Sequence, residues 1–564
     1  MLLTLLSCGE QTGLTKKETP SVTARGSVQK DHNIISEKTK STANKKVSSE
    51  MDKDGIDHGI IAGNAGLQTI PTPYTTSAGI ARKTVKDNAP TVWNQESYTF
   101  LNENDFTNCI NDPLSTFSID VDTASYTNIR RFVNDGSLPP VGAVRTEEMI
   151  NYFLYDYPEP TGTDPISLSA EVGPSPFHPE YKMVKIGLKA KTIEPSQLPP
   201  SNLVFLIDVS GSMNQPNKLP LLKKSIKLLT RQLRKNDRIS LVVYAGSDKI
   251  VLQPTPGNRK EEIEQAVNQL QSGGSTHASS GIITAYELAH RAFIPGGNNR
   301  VILASDGDFN VGTTTRGALQ QLIESQRENG VYLTVLGFGM GNYHDDTMEI
   351  LADKGNGNYG YIDSLLEAKK MLVKEMSGTL FTLAKDVKIQ VEFNPAVVGA
   401  YRLLGYENRA LADEAFLDDT KDSGEIGVGH TVTALYEIIL AGHKDIPQVK
   451  TLKYQRIAAP GPEKKELLNV SVRYKPEQAN KSKQITLAVE DDTRHLANTT
   501  DDFRFAAAVA GYAMLLKKSK HLGSFTWERC LSLAKNAKGT DIEGYRAEFY
   551  RMVEMSQLLD QNKL

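Results

Sequence analysis

Asp208-Val-Ser210-Gly-Ser212 puts one carboxylate and two hydroxyls into five consecutive residues, directly after the apolar run Leu203–Ile207. A small, hard cation such as Mg²⁺ takes oxygen ligands in octahedral geometry, commonly one or two carboxylates with hydroxyls and waters. Two further segments carry matching groups. Gly273-Gly-Ser-Thr276 stands before a helical stretch, where glycines allow a tight turn and Thr276 adds a hydroxyl. Asp306 follows the apolar run Arg300–Ala304 and adds a second carboxylate. Asp208, Ser210, Ser212, Thr276 and Asp306 thus make an oxygen set for Mg²⁺, with Mn²⁺ or Ca²⁺ as alternatives, and leave one coordination position open. Asp-x-Ser-x-Ser alone also serves as an ordinary helix start, with Ser or Asp capping the first turn. The two matching segments favour a metal site.

Such a site needs a frame that brings three distant segments together. Leu203–Ile207, Arg238–Tyr244, Arg300–Ala304 and Tyr332–Leu336 read as strands. They alternate with helices at Leu219–Arg234, Glu261–Gln271, Ser279–Phe293, Arg316–Glu328, Asp345–Asp353 and Leu365–Met376. Continuous apolar strands separated by amphipathic helices signal a mostly parallel sheet covered on both faces. Ligands of such sheets gather beyond the carboxyl ends of the strands, where Asp208 and Asp306 lie.

Strand patterns flank this unit on both sides. Before it come Leu114–Val121, a helix at Thr123–Val133 with Asp122 at its N-cap, a helix at Glu147–Phe153, and strands Ile166–Val172 and Lys182–Ala190. After it come strands Val387–Phe393, Thr431–Leu440, Leu467–Tyr474 and Gln484–Val489. The economical architecture is a β-sandwich built from both flanks with the α/β unit inserted, followed by helices Asp502–Ser519, Phe525–Ala537 and Ile542–Gln561 packed on the sandwich. The expected organisation is a signal remnant at 1–8, a polar tether at 9–97, an N-terminal flank at 98–199, the α/β unit at 200–377, a β-rich flank at 378–500 and a helical segment at 501–564. Residues 9–97 lack sustained apolar periodicity and are expected to be disordered.

Asp-x-Ser-x-Ser, Gly-Gly-Ser-Thr and Ser-Asp-Gly in this order resemble the metal-ion-dependent adhesion site of von Willebrand factor A domains, over residues 200–377. The resemblance implies a Rossmann-like α/β fold and an open metal position that accepts an Asp or Glu carboxylate from a protein partner. It also implies that the last helix, Leu365–Met376, moves between open and closed arrangements. Pro113–Tyr126 and Arg145–Phe153 resemble the flank of bacterial A-domain proteins, many of them lipoproteins, whose C-terminal flank is similar to residues 380–560.

Met1–Cys8 resembles the end of a lipoprotein signal, with Cys8 the lipidated residue, although its apolar run is short and no basic residue precedes it. The expected location is therefore the cell envelope, with the membrane reached only through that anchor. Were the Cys8 context accidental, the chain would be cytoplasmic. Net charge is −3, with 64 basic against 67 acidic residues, so no basic face for nucleic acid is expected. Cys109 and Cys530 are read as free, structural thiols, and Tyr512, Trp527 and Tyr545 as core.

Three competing patterns were weighed. Asp120-Val-Asp122-Thr123 partly matches the nucleophile motif of haloacid dehalogenase-type phosphatases, but Ala124 stands where that motif wants Thr, and no βαβ succession follows. Asp52–Asp57 looks faintly like a calcium loop but lacks its closing Glu. No zinc-hydrolase pairing of histidines is found. The chain is accordingly expected not to be an enzyme. An assembly or chaperone-cofactor role beside a separate AAA-type ATPase is the alternative, since the chain has no phosphate-binding Gly-x-x-x-x-Gly-Lys loop of its own.

Overall fold

The computed structural model describes residues 96 and 98–561, apart from 275–278, 308–315, 341–344, 376–377, 379, 422, 449–464, 477–478 and 480. Cys8, Asp52–Asp57, most of the tether, Thr276 and Asp308 lie outside the described residues. The N-terminal flank contributes β1 (Thr107–Asn108), β2 (Leu114–Ser118), α1 (Ala124–Asn134), α2 (Thr146–Asn151), β3 (Ile166–Pro174) and β4 (Lys182–Ala190).

The α/β unit follows, in the order β5 (Ser201–Asp208), α3 (Leu219–Gln232), β6 (Arg238–Ala245), β7 (Ser247–Pro256), α4 (Lys260–Asn268), α5 (Ser279–Arg291), β8 (Asn298–Ser305), α6 (Arg316–Glu328), β9 (Tyr332–Phe338), α7 (Asp345–Lys354), β10 (Tyr359–Ile362) and α8 (Leu365–Lys369). Its sheet runs β10-β9-β8-β5-β6-β7, parallel except for β7. In β5, Leu203, Phe205 and Ile207 face a core shared with α3 and α4, while Val204 and Leu206 face one shared with α5, α6 and α7. Both faces are covered, which is why the strand reads as an unbroken apolar run.

β7 was not anticipated. It contains Pro254 and Pro256, which remove backbone donors, and it sits at the sheet edge where those donors are not needed. β10, the opposite edge, is too short at four residues to show a period. The expected helix Leu365–Met376 is different in kind: α8 stops at Lys369 and the chain continues as a π-helical turn over Lys370–Lys374.

The C-terminal flank supplies β11 (Thr382–Phe393), β12 (Val398–Leu404), β13 (Gly424–Gly427), β14 (Thr431–Leu440), β15 (Glu466–Pro476) and β16 (Lys483–Glu490). One sheet runs β1-β12-β14-β4-β3; in the other β11 and β15 lie side by side between β13 and β16, and β2 pairs with β11 beyond β13. Strands of both flanks therefore share each sheet. Ile186 and Leu188 of one sheet meet Ile389, Val391 and Val470 of the other in a single apolar core.

The chain ends in α9 (Asp501–Lys517), α10 (Trp527–Asn536) and α11 (Tyr545–Gln561). The Thr500 and Thr526 hydroxyls cap α9 and α10 by accepting the amide protons of Phe503 and Arg529. These helices were expected to lie on the sandwich. Their main core is instead shared with α1 and α2, through Tyr126, Ile150, Tyr152 and Phe153, and only a few sheet residues such as Met183 and Leu435 join it. Rings explain the preference: Phe153 meets Phe505 edge-on at 4.8 Å and Phe549 edge-on at 5.7 Å. Tyr512 is in this core with Trp527 and Tyr545 packed against it. Cys109 and Cys530 are buried free thiols. No helix among the described residues is long and apolar enough to cross a membrane.

Candidate metal centre

The parallel pairing of β5 with β8 sets Ile207 beside Ala304, so Asp208 and Asp306 leave neighbouring strands at the same end of the sheet. The Asp208 carboxylate is fixed by its own turn: Oδ1 accepts the Ser210 amide proton at 2.8 Å. The Ser210 and Ser212 hydroxyls lie 2.9 Å apart. Asp306 is followed by Gly307 at φ +94°, a conformation that glycine supplies without Cβ strain. The loop leading to Thr276 docks on the first motif, with the Gly273 amide donating to the Val209 carbonyl at 2.7 Å and the Gly211 amide to the Gly274 carbonyl at 3.2 Å. Asp208, Ser210, Ser212 and Asp306 are thus brought to one mouth, while Thr276 lies outside the described residues.

The electrostatics fit a missing cation. Asp208 and Asp306 are buried, and Asp208 Oδ2 and Asp306 Oδ1 have no hydrogen-bond partner among the described residues. A buried carboxylate oxygen without a donor is costly unless something positive meets it. Burial pushes the Asp208 carboxyl up to about 6, Asp306 adds to the rise, and the Ser210 amide and hydroxyl oppose it. The buried Tyr244 phenol stands beside Asp208 and Ser305. Hard oxygen donors with converging carboxylates suit a divalent ion of the Mg²⁺ class.

One group at this mouth was not foreseen. The Lys218 ammonium, buried at the start of α3, donates to Asp306 Oδ2 at 2.8 Å. The available signal was a lysine at the N-terminus of a helix, where the helix dipole disfavours positive charge unless an acid compensates.

Asp120 and Asp122 both engage groups of the protein itself. Asp122 is not an N-cap: Thr123 holds that position without a side-chain cap bond, and Asp122 Oδ1 instead accepts the Tyr359 amide proton of β10 at 2.9 Å. A backbone amide on an edge strand is the stronger claimant for the buried carboxylate. Asp120 accepts from Arg409 Nε at 2.9 Å and from the Asp122 amide at 2.9 Å. Asp122 therefore ties the N-terminal flank to the α/β unit, and Asp120 ties it to the C-terminal flank.

This junction is built from three arginines. Arg130 bridges Asp363, Glu367 and Glu548 at 2.6, 2.7 and 2.8 Å. Arg145 bridges Glu148, Asp345 and Glu349 at 2.9, 3.0 and 2.5 Å. Arg409 joins Asp120 to Glu349 and Asp353.

Comparison with known proteins agrees with this fold. The family model for the von Willebrand factor type A domain matches residues 202–374, one for von Willebrand factor matches 92–185, and one for the C-terminal region of the uncharacterized protein YfbK matches 378–559. The chain is 42% identical to "Uncharacterized protein YfbK" of Escherichia coli (strain K12) over 81% of this chain and 80% of that one. It is 27% identical to "Uncharacterized protein sll0103" of Synechocystis over 36% of this chain and 48% of that one. Among solved structures, a von Willebrand factor type A protein from Catenulispora acidiphila aligns over 66% of this chain and 87% of its own, at 15% identity and a TM-score of 0.37. Domains of this type are, as a class, metal-dependent protein-interaction modules that commonly bind divalent ions. Identity at 42% over four-fifths of both chains makes this protein a member of the YfbK family of von Willebrand factor type A domain proteins.

Proposed function

We propose that the chain is a metal-ion-dependent protein-binding module of a bacterial cell-envelope protein. Asp208, Ser210, Ser212, Thr276 and Asp306 would hold Mg²⁺, or Mn²⁺ or Ca²⁺ in its place, and an Asp or Glu carboxylate of a partner protein would complete the coordination. The observation that carries this reading is the pair of buried carboxylate oxygens, Asp208 Oδ2 and Asp306 Oδ1, without a hydrogen-bond partner among the described residues, at one mouth beside two hydroxyls. The protein contributes the fixed oxygens and the buried surroundings in which a charge-assisted contact is strong. Attachment to the envelope would run through lipidated Cys8.

Calorimetric titration of Mg²⁺ and Mn²⁺ into the metal-stripped chain tests the site. Saturable binding of about one ion per chain, lost in Asp208→Ala and Asp306→Ala, is the expected result. An inert wild-type chain overturns the reading. For the anchor, a lipid label is expected on the wild-type chain and not on Cys8→Ser; an unlabelled wild-type chain in the soluble fraction refutes it.

A further inference from the structure

The metal set contains a cation of its own. Lys218 is 4% exposed, and its ammonium lies on Asp306 Oδ2 at 2.8 Å, while Oδ1 of the same carboxylate has no partner among the described residues. The approach is prepared by the backbone. Gly339, just beyond β9, has φ +78°, and a Cβ there would collide with the Lys218 stem at Cγ, Cδ and Cε. The lysine stem thus runs through a gap that only glycine leaves open, so its place on Asp306 is held from both ends.

We propose that Lys218 is a built-in counter-cation that makes the metal centre depend on the partner's carboxylate. The inference rests on the metal-site reading given above. Lys218 and the metal would share Asp306, one on each oxygen. Two carboxylates and one ammonium leave the mouth with a single net negative charge, so a bound divalent ion leaves it net positive. An incoming Asp or Glu carboxylate brings it to neutrality. Without the ammonium, the metal alone would neutralise the two carboxylates and the attraction for a third would fall. Lys218 thereby weakens the site for bare metal and strengthens it for metal plus ligand. It is a positioning residue that acts through Asp306.

The test uses the full chain, Mn²⁺ as the metal and acetate as the carboxylate probe. Calorimetry compares wild type, Lys218→Met and Asp306→Ala, with thermal melts in chelator confirming that each is folded. Lys218→Met is expected to bind Mn²⁺ roughly tenfold more tightly or better than wild type, as removal of a nearby like charge requires. Acetate is expected to raise Mn²⁺ affinity several-fold in wild type and to change it by less than about twofold in Lys218→Met, a coupling that linkage makes reciprocal. A merely structural lysine would weaken metal binding on removal and leave the acetate coupling alone. Equal or weaker Mn²⁺ binding by Lys218→Met, beside normal binding by wild type, overturns the role of Lys218 and spares the metal site. An unresponsive wild type overturns both. Unchanged coupling in a tighter-binding Lys218→Met overturns the link to the partner carboxylate.

Discussion

The mouth of the α/β unit and its junction with the flanks both bury acidic side chains, and they meet them with different cations. At the mouth, among the described residues, Asp208 and Asp306 each keep an oxygen without a donor, and Lys218 supplies the ammonium. At the junction, Arg130, Arg145 and Arg409 are spread among Asp120, Glu148, Asp345, Glu349, Asp363 and Glu367. A buried charge left incompletely met is a cost that folding alone does not justify, whereas a fully engaged arginine can fix how two units sit together. The mouth gathers its acids from two strand ends around one lysine, and the junction ties acids of several elements to each arginine. The motion expected of the last helix meets this contrast directly, because Glu367 of α8 accepts from both Arg130 and the Tyr152 hydroxyl, at 2.7 and 2.8 Å.

The contrast can be broken most sharply at the mouth. Asp208→Asn is expected to reduce Mn²⁺ affinity by about a hundredfold or more, because a carboxylate ligand is lost, and yet to leave the melting point in chelator unchanged or higher. A fall of that melting point would mean that Asp208 is structural.

At the junction the order reverses. Arg130→Met strands the Asp363 and Glu367 carboxylates, and removal of one partner of a buried pair costs about 3–5 kcal/mol. Denaturant unfolding should show that loss, with Mn²⁺ affinity within about threefold of wild type under native conditions. An Arg130→Met chain of wild-type stability would deny the junction its role.

The smallest effect is a pH dependence on the flank side. Glu147 is fully buried; burial and the neighbouring Glu407 push it up to about 7, while its Oε2 accepts the Tyr406 amide proton at 3.0 Å. A carboxyl raised in the folded state holds more protons folded than unfolded between its ordinary value near 4.5 and about 7. Its stabilising share is therefore complete below that window and is lost as pH rises through it. Glu147→Gln keeps the acceptor without the charge, so its melting point should fall by a few degrees less than wild type between pH 5 and pH 8. Parallel curves for the two chains would remove Glu147 from the account.

What could be read in advance follows from range of interaction. The parallel sheet announced itself because β5, β6, β8 and β9 are buried on both faces and so carry unbroken apolar runs. Four of the five proposed oxygen donors lie at one mouth because strand ends and the turn after β5 place them, and strand ends are visible locally. Edge strands β7 and β10 were missed since an edge tolerates proline and brevity. Lys218 went unnoticed and Asp122 was misassigned for a common reason: each side chain serves a partner far along the chain, Asp306 and Tyr359, and local spacing says nothing about such pairs. The five-residue α8 with its π-helical turn gave no periodic warning either, as its heptad-like spacing suits one longer helix equally well.

The insertion of the α/β unit between β4 and β11 sets the order in which the molecule can assemble. In the sandwich, Lys182 of β4 faces Ile438 of β14 and Phe117 of β2 faces Ile389 of β11, so those pairings wait on everything between Ala190 and Thr382. The inserted unit is rich in nearer strand–helix–strand contacts, which form earlier than pairings across long loops. Once folded, it turns a long floppy loop into a short stiff one and lowers the entropy lost in closing the sandwich. The part of the chain that carries the ligand mouth thereby doubles as the clamp that brings the two halves of its own platform together.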